Sequence, residues 1–314
     1  MNFIDSHHHL WDLGRHHYPW LAEDDHDRGW GDWSDLRRNY TVVELMRDLT
    51  ELESGPPSGR SGSSGTWRLL GSVHVQANID ASDPVAETRW IDSLASDPNN
   101  PRALPTGIVG WADFSDPTVE ALLDAHAQVS DRMRGIRQVL NRHTDHRLNR
   151  AVYDFLADAG WRDRIGALKR YDWSFDAQVY WHQMNSLAAL ATQHDSITFI
   201  VDHAGMPVER DSDALANWRK GLRTLAACPN VVIKLSGYGM TDNFWTVDRL
   251  KPYVIEPIEY FGADRAMFAS NFPVDRLMSS YSRLWQAYDV LTQYASSTER
   301  EALFWGTASR VYRI

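Results

Sequence analysis

Short apolar runs punctuate this chain at regular intervals, and between them hydrophobic positions recur every three to four residues. The runs at 2–6, 70–76, 106–111, 135–139, 175–179, 198–202, 231–236 and 266–270 read as strands, being continuous apolar stretches bounded by polar turns. The segments at 84–95, 117–129, 151–159, 181–194, 213–227 and 247–261 carry the helical period, as does 41–52. Continuously apolar strands alternating with helices predict a parallel sheet covered by helices. Eight such units in 314 residues predict one α/β domain over 1–314, a closed (β/α)8 TIM barrel. Two segments interrupt the rhythm. Residues 12–39 are charged, aromatic and aperiodic, which predicts a long first βα loop over the barrel mouth. Residues 53–66 form a Gly/Ser/Pro tract without a hydrophobic anchor, which predicts a flexible surface insertion.

Charge and composition narrow the partners. The formal net charge of −10, from 32 basic and 42 acidic residues, argues against nucleic acid or an anionic membrane as the main partner. It leaves open a small-molecule substrate, anionic or polyhydroxylated, because a pocket can be locally basic. The single cysteine, Cys228, excludes an internal disulfide and fits a reducing compartment. No apolar run approaches the ~20 residues of a membrane helix, and with candidate ligands beginning at His7 no removable leader is expected, so the expected location is cytoplasmic. Several of the 14 tryptophans (Trp11, Trp20, Trp30, Trp33, Trp111, Trp173, Trp181, Trp245) fall near loops, where they either wall a pocket or pack the surface. A homo-oligomer is neither required nor excluded.

In such a barrel the chemistry gathers where strands run into their following loops. The first strand ends in Asp5-Ser6-His7-His8-His9. Strand alternation puts His7 and His9 on one side and His8 on the other, and paired neutral imidazoles suit zinc or a similar divalent ion. Further polar residues at predicted strand ends are Gln76, Arg137, Asp176, Gln178, Asp202, His203, Lys234, Tyr238, Asn271 and Asp275. Lys234 interrupts the apolar run Val231-Val232-Ile233-Lys234-Leu235, a costly place for a charge without a purpose. Arg137 reads either as a clamp for a carboxylate or hydroxyl pair or as the partner of a barrel carboxylate. His74 and His143 read as structural.

The pattern resembles the amidohydrolase superfamily, and within it the amidohydrolase-2 branch of lactonases acting on sugar and dicarboxylate lactones. The resemblance rests on Asp5-Ser6-His7-His8-His9-Leu10-Trp11-Asp12, Gly135-Ile136-Arg137, Asp202-His203-Ala204-Gly205 and Phe268-Ala269-Ser270-Asn271-Phe272-Pro273. It implies one divalent metal ion, zinc as first choice and not necessarily indispensable, on His7, His9 and His203. Two-metal members carry a bridging lysine on strand four and a histidine on strand five. Here those regions read Arg137-Gln138-Val139 and Gln178-Val179, so the resemblance implies no second metal. Relatives usually place an aspartate where this chain has Asn271, and an amide cannot accept a proton near neutral pH. Either Asp275 or Asp202 is then the substitute base, or a bound metal makes hydroxide with little help.

The expected activity is a hydrolase that opens the lactone of a sugar acid or carboxylated ring with activated water. His203, Lys234, Asn271 and Asp275 are the catalytic candidates, and Trp11, Gln76, Arg137, Gln178 and Tyr238 the substrate-binding ones. A metal-dependent decarboxylase of an aromatic or unsaturated acid is the alternative, and a catalytically inactive barrel the second.

Overall fold

The computed structural model describes residues 1–22, 32–55, 66–80 and 82–314. Eight strands form one sheet in sequential order with every pair parallel. They are β1 (Asn2–His8), β2 (Arg68–Val75), β3 (Gly107–Gly110), β4 (Met133–Val139), β5 (Ser174–Gln178), β6 (Phe199–Val201), β7 (Val231–Leu235) and β8 (Ala266–Phe268). The expected (β/α)8 barrel is what forms.

Alternation along each strand divides the core in two. Phe3, Ile108, Ile136, Phe175, Phe199, Val201, Ile233 and Phe268 face the helix layer. Ile4, Val73, Val75, Val109, Ile200, Val232 and Met267 pack inside the barrel, together with Ala308, Val311 and Tyr312 of the last helix, Thr307–Tyr312. The same alternation carries Lys234, two residues beyond Val232, and Asp202, two beyond Ile200, to the inward face at the mouth end of their strands.

The strand β1 departs from simple alternation in one useful way. Ile4 and His7 are three residues apart, an odd spacing that would put them on opposite faces. A register shift between Asp5 and His8 rephases the strand, so that both turn inward.

The seam between β8 and β1 is closed largely by side chains. Ser6 Oγ donates to the Phe268 carbonyl at 2.9 Å. Asp5 accepts the Ser270 amide (2.9 Å), the Ser270 hydroxyl (2.6 Å) and the Tyr281 hydroxyl (3.0 Å). Two backbone bonds follow, Asn271 N–H to the His7 carbonyl and His9 N–H to the Phe272 carbonyl, both 2.7 Å.

Side chains cap the starts of several helices. Thr41 and Glu44 form a capping box at Val42–Ser54, and Asp211 accepts two amides at the start of Ser212–Ala226. The expected helix at 151–159 is not one. Asp158 accepts the Trp161 amide and starts the helix at Ala159, ending at Arg164, while Phe155–Ala157 is a single 3-10 turn. The first βα loop is pinned at its base by a bridge between Trp11 and Tyr40, and carries a short helix Pro19–Ala22. Its residues 23–31, Trp30 among them, lie outside the described residues. So do 56–65 of the Gly/Ser/Pro tract, whose first residues, Glu53 and Ser54, instead finish the preceding helix. Among the described residues no helix is long and apolar enough to cross a membrane.

Replacing Asp5 with Ala would remove the acceptor shared by the Ser270 amide and hydroxyl, the Tyr281 hydroxyl and the His7 amide. The expected loss is about 2–4 kcal/mol of unfolding free energy, read by denaturant titration. A change below about 0.5 kcal/mol would mean that the seam is held by other contacts.

Candidate active site

At the mouth end of the barrel, β1 delivers two imidazoles edge to edge. His7 Nε2 and His9 Nε2 lie 3.3 Å apart, whereas His8 turns the other way to the Ser72 hydroxyl at 3.0 Å. His9 Nδ1–H donates to the Val75 carbonyl at 2.7 Å, which leaves its Nε2 as a bare lone pair. His7 Nδ1 sits 3.3 Å from both Asp202 Oδ1 and Lys234 Nζ; the tautomer that turns Nδ1–H toward the carboxylate leaves a second bare lone pair on Nε2, whereas the one that accepts from Lys234 lets Nε2–H donate to His9. In the first tautomer the two lone pairs repel unless an electrophile lies between them.

The loop after β6 brings the third imidazole. His203, Ala204, Gly205 and Met206 all have positive φ (56°, 52°, 70° and 43°), a left-handed run that turns the chain sharply at the barrel mouth. Trp218 fixes the turn by donating to the Ala204 carbonyl at 2.8 Å. The His203 ring stands 4.7 Å from that of His7, and its Nδ1 is 2.9 Å from the Ser236 hydroxyl. His7, Asp202 and His203 each offer a ligating atom within 4.8 Å of one another.

Burial sets the charge state of all three rings. It pushes His7 and His9 well below the usual imidazole range, helped by Lys234 beside His7 and by Arg137 beside His9, and it lowers His203 to about 4. Neutral imidazoles are what a metal needs. Burial opposes ionisation of Asp202, but Lys234 and His7 more than offset it and hold its carboxyl well below the ordinary range. Neither Asp202 oxygen has a well-aligned hydrogen bond, so a buried anion faces the imidazoles without full compensation.

This donor set fits a divalent ion. A tetrahedral zinc at about 2.0–2.1 Å from each nitrogen separates its ligands by about 3.3–3.4 Å, and the two β1 nitrogens have that separation. Asp202 was expected only as an alternative base; it stands instead among the imidazoles. The sequence signal was its place, next to His203 at a strand end.

Lys234 is fully buried and pairs with Asp176, and its Nζ also lies 3.3 Å from Asp202 Oδ1 and from His7 Nδ1. Tyr312 completes this network from the last helix by donating to Asp176 at 2.8 Å. Asn271 has φ 55°, a region asparagine tolerates, and its side-chain amide donates to Asp275 at 3.3 Å. Burial raises the Asp275 carboxyl to about 7, against hydrogen bonds from Asn271 and from the Gly239, Gly237 and Met240 amides.

The substrate-binding candidates divide. Arg137 is buried, its Nη2 donates to the Gln76 carbonyl at 2.6 Å, and among the described residues no carboxylate pairs with it. Gln178 lies beside it, Oε1 3.5 Å from Arg137 Nη1, and donates to Asn141 at 2.8 Å. Gln76 Oε1 accepts the Asn78 amide, and its Nε2 is buried without a partner. Trp11 and Tyr238 are placed differently from expectation. The Trp11 indole is fully enclosed and donates to the Arg38 carbonyl, and the Tyr238 hydroxyl donates to the Tyr253 carbonyl. Both polar ends are used inside the fold.

Comparison with known proteins accords with this geometry. The amidohydrolase family pattern matches residues 4–314. The chain belongs to the amidohydrolase family. An uncharacterized Sinorhizobium fredii protein, y4mH, is 38% identical over 314 residues, covering 99% of this chain and 98% of the relative. An L-fucono-1,5-lactonase of Burkholderia multivorans is 29% identical over 323 residues, covering 99% of this amidohydrolase and 96% of the lactonase. A crystal structure of a Burkholderia multivorans amidohydrolase with bound zinc aligns over 100% of both chains with a TM-score of 0.78 at 28% identity.

Gly237 was not expected as part of the site. It has φ 68°, and a Cβ there would stand 2.6 Å from the His203 ring. In Gly237→Ala the imidazole must move, and zinc affinity measured by chelator competition should fall at least about tenfold. Unchanged affinity would show that His203 does not hold the ion.

Proposed function

We propose that this amidohydrolase opens the lactone of a sugar acid or of a carboxylated ring by attack of water on the ring carbonyl. The observation that carries the reading is the gathering, at one end of the barrel, of the neutral imidazoles of His7, His9 and His203, the Asp202 anion and a buried Arg137 guanidinium with no carboxylate partner among the described residues. The similarity to L-fucono-1,5-lactonase supports the substrate class.

His7, His9, His203 and Asp202 would hold a divalent ion, zinc by the nature of the donors, and such an ion when bound supplies Lewis acidity that acidifies water and polarises a carbonyl. The chain's own groups do the rest. Arg137 clamps a carboxylate or a pair of hydroxyls, with Gln178 and the unpartnered Gln76 amide beside it. Lys234, held between Asp176 and Asp202, keeps those carboxylates ionically matched and His7 oriented. Asp275 takes the proton as the water oxygen bonds to the carbonyl carbon, and returns it to the ring oxygen as the C–O bond breaks. Its carboxyl, raised to about 7, suits both duties, whereas Asp202 is too acidic to be a base at neutral pH. Asn271 orients Asp275 through its side-chain amide.

The test is a panel of sugar-acid lactones and unsaturated carboxylic acids, with acid release and carbon dioxide loss followed separately. Acid release from lactones, abolished in His7→Ala and His203→Ala proteins that remain folded, is the expected result. Carbon dioxide from an unsaturated acid would establish the decarboxylase instead, and full activity in both variants would remove the site. A base must be deprotonated to act, so kcat/KM should rise with pH through about 7 and level off above it. In Asp275→Asn that limb should vanish and the rate fall about 100-fold or more; an intact limb would assign it to another group.

A further inference from the structure

Arg137 and Glu87 are tied together through one peptide group. The Arg137 guanidinium donates to the Gln76 carbonyl at 2.6 Å, and the Ala77 amide, the other end of that same peptide, donates to Glu87 Oε1 at 2.7 Å. Glu87 comes from the helix Val85–Ala95 and is 3% exposed. Its carboxylate also accepts from His74 Nε2 at 2.9 Å, and His74 Nδ1 in turn accepts the Leu10 amide at 3.1 Å. The single carboxylate oxygen therefore anchors the end of β2, beside the clamp, and the end of β1, just past His9.

We propose that Glu87 is a positioning residue that serves as the buried counter-charge of Arg137, acting through the Gln76–Ala77 peptide. A direct carboxylate–guanidinium pair would saturate the arginine. Placing the anion one peptide away compensates the charge in part, polarises the intervening carbonyl toward Arg137, and leaves the rest of the guanidinium for a ligand's carboxylate. Arg137 Nε has no partner, in keeping with a group held in reserve. Burial lowers the Arg137 pKa, while Asp202, Asp176 and Glu87 work against that. The two aspartates are shared with Lys234, and among the described residues Glu87 has no lysine or arginine of its own.

The part concerning a ligand carboxylate rests on the lactonase reading; the charge coupling does not. It is tested by a double-mutant cycle on thermal stability with Glu87→Gln, Arg137→Gln and the double variant. Glutamine keeps an oxygen for the Ala77 amide and His74 and removes only the charge. In the parent background Glu87→Gln should lower Tm by about 5 °C, and in the Arg137→Gln background by less than half as much. Equal losses in the two backgrounds overturn the coupling. If Glu87→Gln alone does not fold, recovery in the double variant supports it and continued failure overturns it. In kinetics, the uncompensated guanidinium of Glu87→Gln should lower KM about threefold to tenfold for a carboxylate-bearing lactone, without a matching shift for an uncharged one. An equal shift for both lactones overturns the electrostatic role. The stability cycle needs no substrate, so its failure and that of the lactonase reading are separately visible.

Discussion

Burying ionisable groups at the inner ends of the strands is costly unless each finds a partner, and the rest of the site follows from how that cost is met. Imidazoles shut away from water stay neutral, so His7, His9 and His203 offer lone pairs instead of charge. The Asp202 and Asp176 carboxylates share the Lys234 ammonium, which is fully buried among them. Removing any one partner would strand the others. This interlocking makes the polar mouth rigid while leaving two demands unmet, a cation for the imidazoles and an anion for Arg137.

Barrel geometry decides where those groups stand. The register shift in β1 turns His7 inward, and the Asp5–Ser270–Tyr281 bonds hold β1 against β8 beside Asn271. On the opposite side of β1, His74 and Glu87 brace the loop just beyond His9. β1 is thus fixed from both flanks by side chains, in addition to its backbone ladder with β2. Preorganisation of that kind keeps donors in place before any ligand arrives.

Much of this was legible in the sequence because strand and helix periods are local signals. All eight strands were expected close to their observed bounds, and alternation alone paired His7 with His9. Long-range convergence is another matter. Nothing local marks Gly237 as the residue on which the His203 ring lies, or Tyr312 as the donor that reaches Asp176 from the last helix. His74 reads as structural in the sequence, but its partners, Glu87 and the Leu10 amide, join segments far apart in the chain and carry no local signal. The Arg38 and Tyr253 carbonyls that take the hydrogens of Trp11 and Tyr238 carry no local signal either. The helix expected at 151–159 failed on a capping preference, Asp158, that outweighed a weak period.

Metal-edge X-ray absorption on the zinc-loaded protein tests the central claim most directly. The account predicts one zinc per chain with only nitrogen and oxygen neighbours at about 2.0–2.2 Å and the outer-shell scattering of several imidazoles, lost when His7 is replaced. Zinc that fails to bind, or whose spectrum is unchanged by the His7 substitution, would contradict it.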